Sequence, residues 1–171
     1  MNVTLAAWNE ADYSTELNPV IACCGARRWA AAMVAQRPIT SAAELCDTAD
    51  RVWSTMEEAD WVEAFACHPR IGERKATTTH AKGQAEVWSR QEQAATENAP
   101  EKVLSELVER TLHYEQRFGI TYIVCATGKS AEEMLAILNR RLTSDRASEF
   151  REAAEQQRQI LQIRLRKWLA E

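Results

Sequence analysis

Glycine and proline are scarce in this chain, five and four among 171 residues, about 5% where average usage gives roughly 12%. That shortage constrains the fold more than any motif does. An all-β sandwich needs a turn every 8 to 12 residues or so, and too few turn-formers are present to supply them. Collagen-like, Gly/Ser-linker and Pro-rich disordered chains are excluded on the same ground. Long helices remain, and the expected fold class is all-α: a single-domain multi-helix bundle over residues 1–171.

The length suits one domain and is enough to bury a core without disulfide or metal staples. A formal charge of −4, with an acidic excess before His68 (10 against 4) and only a slight basic excess after it (17 against 15), does not resemble a nucleic-acid footprint, so no nucleic-acid partner is expected. No stretch approaches the 18 or so apolar residues of a membrane span. The start, Met1 to Glu16, carries acids in place of the basic and apolar regions of a signal peptide. A cytoplasmic protein with no membrane partner is the expectation. The five cysteines, Cys23, Cys24, Cys46, Cys67 and Cys125, are odd in number and form no CxxC pair. A disulfide framework or zinc knuckle is therefore not expected.

Helix boundaries are written in the local chemistry. Ser41 with Glu44 makes a capping-box pattern, followed by Leu45, Ala49, Val52, Trp53 and Met56 at helical spacing. Asp60 and Glu63 open a shorter helix that must stop near Cys67, because Pro69 disfavours helical geometry in the residue before it. His68 is thereby placed at a helix end. A polar segment runs from Arg70 to Lys82, and a helix is expected from about Gly83 to Glu97. Pro100 suits the first turn of the next helix, whose inner face is Val103, Leu104, Leu107, Val108, Thr111 and Leu112, with Gly119 as its C-terminal cap. Ser130 and Glu133 start another helix through Met134, Leu135, Leu138 and Leu142, and the final one runs from about Asp145 to Leu169.

One stretch breaks the helical pattern. Ile120-Thr121-Tyr122-Ile123-Val124-Cys125-Ala126 is β-branched and aromatic and reads as a short extended, buried segment without a partner strand. Its N–H and C=O groups must find partners elsewhere. A bound polar ligand is one source; neighbouring side chains and water are another.

Three features could carry chemistry. His68, between a helix end and a polar loop, would expose an imidazole whose ordinary pKa near 6.5 suits proton transfer; the plainer reading is a histidine capping the last carbonyls. His80 and His113 have weaker cases. Ser89, Glu92 and Gln93 stand at i, i+3 and i+4, so a hydroxyl, a carboxylate and an amide share one helix face. That face would hold an amide-rich ligand, or simply be solvated. In the last helix Phe150, Ala154, Gln157, Leu161, Arg164 and Trp168 alternate steps of four and three, which turns Arg164 toward the apolar side. An inward guanidinium suits a carboxylate, and equally suits an internal Glu.

In order along the chain, Cys67-His68-Pro69-Arg70-Ile71-Gly72, then Ser89-x-x-Glu92-Gln93, then Arg117-Phe118-Gly119 leading into Tyr122-Ile123-Val124-Cys125-Ala126, then Ile163-Arg164-Leu165, resemble the 2-oxo-4-hydroxy-4-carboxy-5-ureidoimidazoline (OHCU) decarboxylase family of urate degradation. Arg37-Pro38 resembles a further step of the same pattern. The resemblance implies an all-helical homodimer that needs no cofactor and no metal and turns the small-molecule substrate OHCU into (S)-allantoin with loss of carbon dioxide. It implies catalytic roles for His68 as acid/base and Glu92 as its partner. Pro69, Ser89, Arg90, Gln91 and Gln93 would line the substrate. The backbone of Tyr122, Ile123, Val124, Cys125 and Ala126 would bind the ring and ureido amides, and Arg164 joins the substrate-binding set. Ile120-Thr121-Tyr122 departs from the aromatic-Pro-Phe-like sequence of many members, which bears on packing more than on backbone binding. The chain ends Leu169-Ala170-Glu171, without a peroxisomal tripeptide, in keeping with the cytoplasmic expectation.

The implied substrate carries a C=N bond beside the carbon bearing the carboxylate. Electrons released with carbon dioxide therefore have a sink within the substrate, and no pyridoxal, thiamine or metal is demanded. Two other readings remain open from the residues alone: a lyase or hydrolase acting on another ureido compound, and a non-catalytic helical interaction module.

Overall fold

A computed structural model describes residues 2–12, 14, 18–71, 83–96 and 99–171. Gly72, His80 and most of the polar segment up to Lys82 lie outside the described residues. Helices make up most of the described residues: α1 (Val3–Glu10), α2 (Ile21–Cys24), α3 (Arg27–Ala35), α4 (Ala42–Trp53), α5 (Glu58–Ala66), α6 (Gln84–Glu92), a 3-10 turn at Ala94–Thr96, α7 (Glu101–Phe118), α8 (Ala131–Arg141) and α9 (Arg146–Ala170). No strand forms among the described residues, and the fold is all-α.

Two compact units divide the chain, Met1–Ala64 with Arg158–Glu171, and Phe65–Gln157. In the first, α3 packs on α4 and the core gathers Leu5, Trp8, Trp29, Met33 and Leu45, all essentially without exposed surface. Trp8 meets Trp168 edge-on, with ring centroids 5.9 Å apart; Trp8, Trp29 and Trp168 are all buried within the chain. Arg37 closes this unit by donating from Nη1 to the carbonyls of Trp8 and Ala11, with its guanidinium over the Trp8 ring. In the second unit α7 packs along α8, around Leu107, Tyr114, Met134 and Leu138.

Caps set the helix ends. Ser130 accepts from the Glu133 amide while the Glu133 carboxylate accepts from Ser130 N–H, a complete capping box. At α4 only half of that motif forms. Ser41 Oγ accepts from Glu44 N–H, but the Glu44 carboxylate reaches one residue further back, to the amide and hydroxyl of Thr40. Helix α5 begins before Asp60 because the Asp60 carboxylate accepts from the Glu57 amide and so recruits another half-turn. Pro100 occupies the N-cap position rather than the first turn. Gly119 ends α7 with φ of 74°, a left-handed conformation that a side chain would strain.

Two further expectations are corrected. Helix α6 stops at Glu92, short of Glu97, because the amide and hydroxyl of Thr96 both donate to Gln93 O and tighten the chain into a 3-10 turn. Of the expected inner face of α7, Leu107 and Thr111 are buried and Val103, Leu104 and Val108 half-buried, but Leu112 is 43% exposed, while Tyr114 and Phe118 are buried instead. A polar network at Tyr114 draws that side of the helix inward. In α9 the expected stripe holds in full, with Phe150, Ala154, Gln157, Leu161, Arg164 and Trp168 all buried.

Two helix-start carboxylates are held below their ordinary values by hydrogen bonds. Hydrogen bonds from the Thr40 hydroxyl and amide hold the Glu44 carboxyl below its ordinary 4.5. Bonds from the Ser148 amide and hydroxyl hold Asp145, at the start of α9, below 3.8. A carboxylate depressed on folding stabilises the native state above its unfolded pKa and ceases to do so as pH falls through its folded value. The variant Glu44→Gln/Asp145→Asn should therefore lose less stability than the parent between about pH 5 and pH 2, as read from denaturant midpoints across that range. An unchanged slope would refute the assignment.

Candidate functional site

His68 sits where α5 ends. Its amide donates to Phe65 O at 3.1 Å, a last i to i−3 bond before Pro69 removes the next donor. The side chain is 7% exposed, and its Nε2 is shielded from solvent. The loop beyond is pinned from two sides. Arg70 forks the Glu115 carboxylate of α7 through Nε and Nη2, each at 2.8 Å, and Ile71 is buried. Pro69 O takes a long contact, 3.5 Å, from the Gln93 amide.

That last contact ties the histidine loop to the end of α6. Ser89 is buried, and Glu92 and Gln93 are half-buried, so the three residues at i, i+3 and i+4 do share the inward face. Arg90 and Gln91 lie on the outer face: both are exposed, and Arg90 pairs with Glu86 one turn back at 3.2 Å.

The segment 121–126 is neither helix nor paired strand, yet Tyr122 through Ala126 are all buried. Side chains do part of the work that a neighbouring strand would do. Arg141 Nη1 donates to Ile123 O at 2.6 Å, Gln156 Oε1 accepts from Cys125 N–H at 2.9 Å, and Lys129 Nζ donates to Cys125 O at 2.7 Å. The Tyr122 hydroxyl donates to Met134 O. Burial pushes the Cys125 thiol up, opposed by the Lys129 ammonium and the Thr127 amide and reinforced by the Glu92 carboxylate. Glu92 is thus within electrostatic reach of Cys125. The α5 end, the α6 end and the 121–126 segment converge in the second unit.

Beneath the segment lies a buried ionic cluster that sequence reasoning did not find. Arg141 and Glu149 are both without exposed surface and pair through Nε at 2.9 Å and through Nη2. Tyr114 donates its hydroxyl to the same carboxylate oxygen. The guanidinium stands 4.9 Å from the Tyr122 ring centroid. Burial, partly offset by Arg141, drives both tyrosine hydroxyls far above their ordinary range, so they remain neutral donors.

Arg164 belongs to the first unit, is 2% exposed and contacts Ala22 O at 3.4 Å. His113 is exposed on α7. Among the described residues no three His, Cys, Asp or Glu side chains gather as a metal site requires, and no helix is long and apolar enough to cross a membrane. None of the five cysteines is bridged to another.

Known proteins resemble this chain in sequence and fold. The uric acid degradation bifunctional protein TTL of Arabidopsis thaliana is 32% identical over 146 residues, covering 85% of this chain and 44% of that protein. The chain therefore spans less than half the length of this relative. The 2-oxo-4-hydroxy-4-carboxy-5-ureidoimidazoline decarboxylase of Amia calva is 26% identical over 140 residues, covering 80% of this chain and 77% of that one. Among solved structures, OHCU decarboxylase crystallised in the presence of (S)-allantoin superposes with a TM-score of 0.76 at 27% identity, over 93% of this chain and 100% of the other. The family model described as OHCU decarboxylase matches residues 9–166, a span that takes in the histidine loop, the α6 face, the irregular segment and Arg164, and the chain belongs to that family.

Proposed function

We propose that this chain decarboxylates OHCU to (S)-allantoin in urate catabolism. The observation that carries the reading is the convergence of the buried His68, the inward face of α6 and the backbone of residues 122–126 in a chain of this family. His68 acts as acid/base and Glu92 as the carboxylate that orients it. Ser89, Gln93 and Pro69 line the ligand, and the 122–126 backbone reads the ring and ureido amides.

The chemistry asks little of the protein beyond placement. The bond from ring carbon to carboxylate breaks, carbon dioxide leaves, and the electron pair moves toward the adjacent C=N. The imine nitrogen takes up a proton, and the former imine carbon then takes one on one face while the 4-hydroxyl gives up its own and becomes the ring carbonyl of allantoin. The chain must align the breaking bond with the π-system, shield the carboxylate from water and deliver that proton from one side. His68 at a pinned helix end is suited to the last task. A homodimer in a cytoplasmic setting, with residues 1–171 acting as one domain, belongs to the same proposal. The family match running through both compact units supports the single domain.

Freshly generated OHCU should lose its absorbance faster with catalytic amounts of the protein than alone, and the allantoin formed should be optically active. A decay equal to the spontaneous one would rule the reading out in favour of an interaction module.

A further inference from the structure

In an extended backbone the N–H and C=O of one residue point to the same edge, and residues two apart share that edge. Residues 122–126, neither helical nor paired as a strand, divide on that alternation into a 123/125 edge and a 122/124/126 edge. On the first, three of the four backbone groups are taken by side chains: Ile123 O by Arg141, Cys125 N–H by Gln156 and Cys125 O by Lys129. On the second, among the described residues, neither Val124 N–H nor Val124 O nor Ala126 N–H has a hydrogen-bond partner, although both residues are only 4% exposed. On that edge, among the described residues, Ala126 O alone is taken, by Lys129 N–H at 3.0 Å; buried amides without partners are costly, and side chains committed to one edge while Val124 and the Ala126 amide stay open on the other make an arrangement with a direction.

Gln156 is itself held in register. Its Nε2 donates to Glu152 Oε1, one helical turn back on α9, at 3.1 Å, which fixes the amide so that Oε1 and not the NH2 faces Cys125. Arg141 is fixed in the same sense by Glu149. Two helices thus present an oriented acceptor and an oriented donor to backbone groups two residues apart.

We infer that Gln156 and Arg141 are positioning residues: they hold the 123/125 edge of the segment and so present the opposite edge, the amides of Val124 and Ala126 and the carbonyl of Val124, to a planar, amide-rich ligand. This rests on the reading of the chain as an OHCU decarboxylase and extends it to residues that carry no part in the reaction itself.

The test is a hydrogen-bond swap on α9. Gln156→Met removes the acceptor while keeping the side-chain length, and should raise KM for OHCU about tenfold, the worth of one hydrogen bond, with kcat changed much less. Gln156→Glu/Glu152→Gln restores an acceptor for Cys125 N–H and a donor to hold it, and should return KM to within about twofold of the parent. A purely structural role for Gln156 would lower Tm without moving KM, and that result overturns the inference; so does a swap that fails to rescue. In 15N-labelled protein, (S)-allantoin should shift and protect the amides of Val124 and Ala126 more than that of Cys125, and the reverse pattern also overturns it. The outcomes separate cleanly from failure of the activity itself: a parent protein without effect on OHCU decay removes the decarboxylase reading, whereas an active parent with an indifferent Gln156→Met removes only the positioning role.

Discussion

His68→Asn should reduce the protein-dependent decay of OHCU by roughly 10²- to 10⁴-fold, the range that a positioned acid/base contributes, and the remaining allantoin should be racemic. Two facts make this the largest catalytic effect expected of a single change. The imidazole is buried at a helix end whose following loop is pinned by the Arg70–Glu115 fork, so its direction is set by the fold. Uncatalysed protonation of a planar carbon has no facial preference, so chirality in the product reports delivery of the proton by the protein. Decay at 25 °C followed by absorbance, with product handedness followed by circular dichroism, reads both quantities in one sample. An unchanged rate with an unchanged dichroic signal would remove His68 from the reaction. Far-ultraviolet dichroism of the variant guards against loss of fold.

The largest effect on stability is expected at the Arg141–Glu149 pair. Arg141→Met leaves the Glu149 carboxylate fully buried with its cation gone, a change that typically costs about 3–5 kcal/mol. In a chain of this size that corresponds to a fall in Tm on the order of 10 °C. Because the cost is that of an orphaned charge more than of a lost attraction, Arg141→Met/Glu149→Leu should recover most of it. Thermal melts of the two single variants and the double variant decide the matter. A double variant no better than Arg141→Met would mean that the contacts of Arg141 to Ile123 O and the Tyr122 ring, and not its pairing with Glu149, carry the stability.

The sequence made the helices legible wherever a cap or a stripe wrote them locally. Ser130 with Glu133, Gly119 and the six-residue stripe of α9 are each readable within a turn or two, and each appears in the structure as expected. The misread boundaries have tertiary or side-chain causes: Thr96 bonding back to Gln93 O ends α6 early, and Asp60 reaching Glu57 N–H starts α5 early. The Ser89, Glu92 and Gln93 face was legible because helical spacing defines it. What supports the 121–126 segment was not. Arg141 and Gln156 lie 18 and 31 residues from the groups they hold, and no periodicity links residues on separate helices to an irregular strand-like stretch. The sequence revealed that this backbone needed partners; only the fold revealed which edge received them.

The Cys125 thiol has a consequence for the reactivity of the site. Thiolates, not thiols, attack electrophiles and oxidants, and burial keeps this sulfur protonated well above neutral pH. The middle of the proposed ligand-reading stretch is therefore chemically quiet, a small neutral wall that neither competes for the substrate's imine as a nucleophile nor is readily consumed by peroxide. Backbone amides around such a residue would recognise a ligand without any side-chain chemistry of their own to lose.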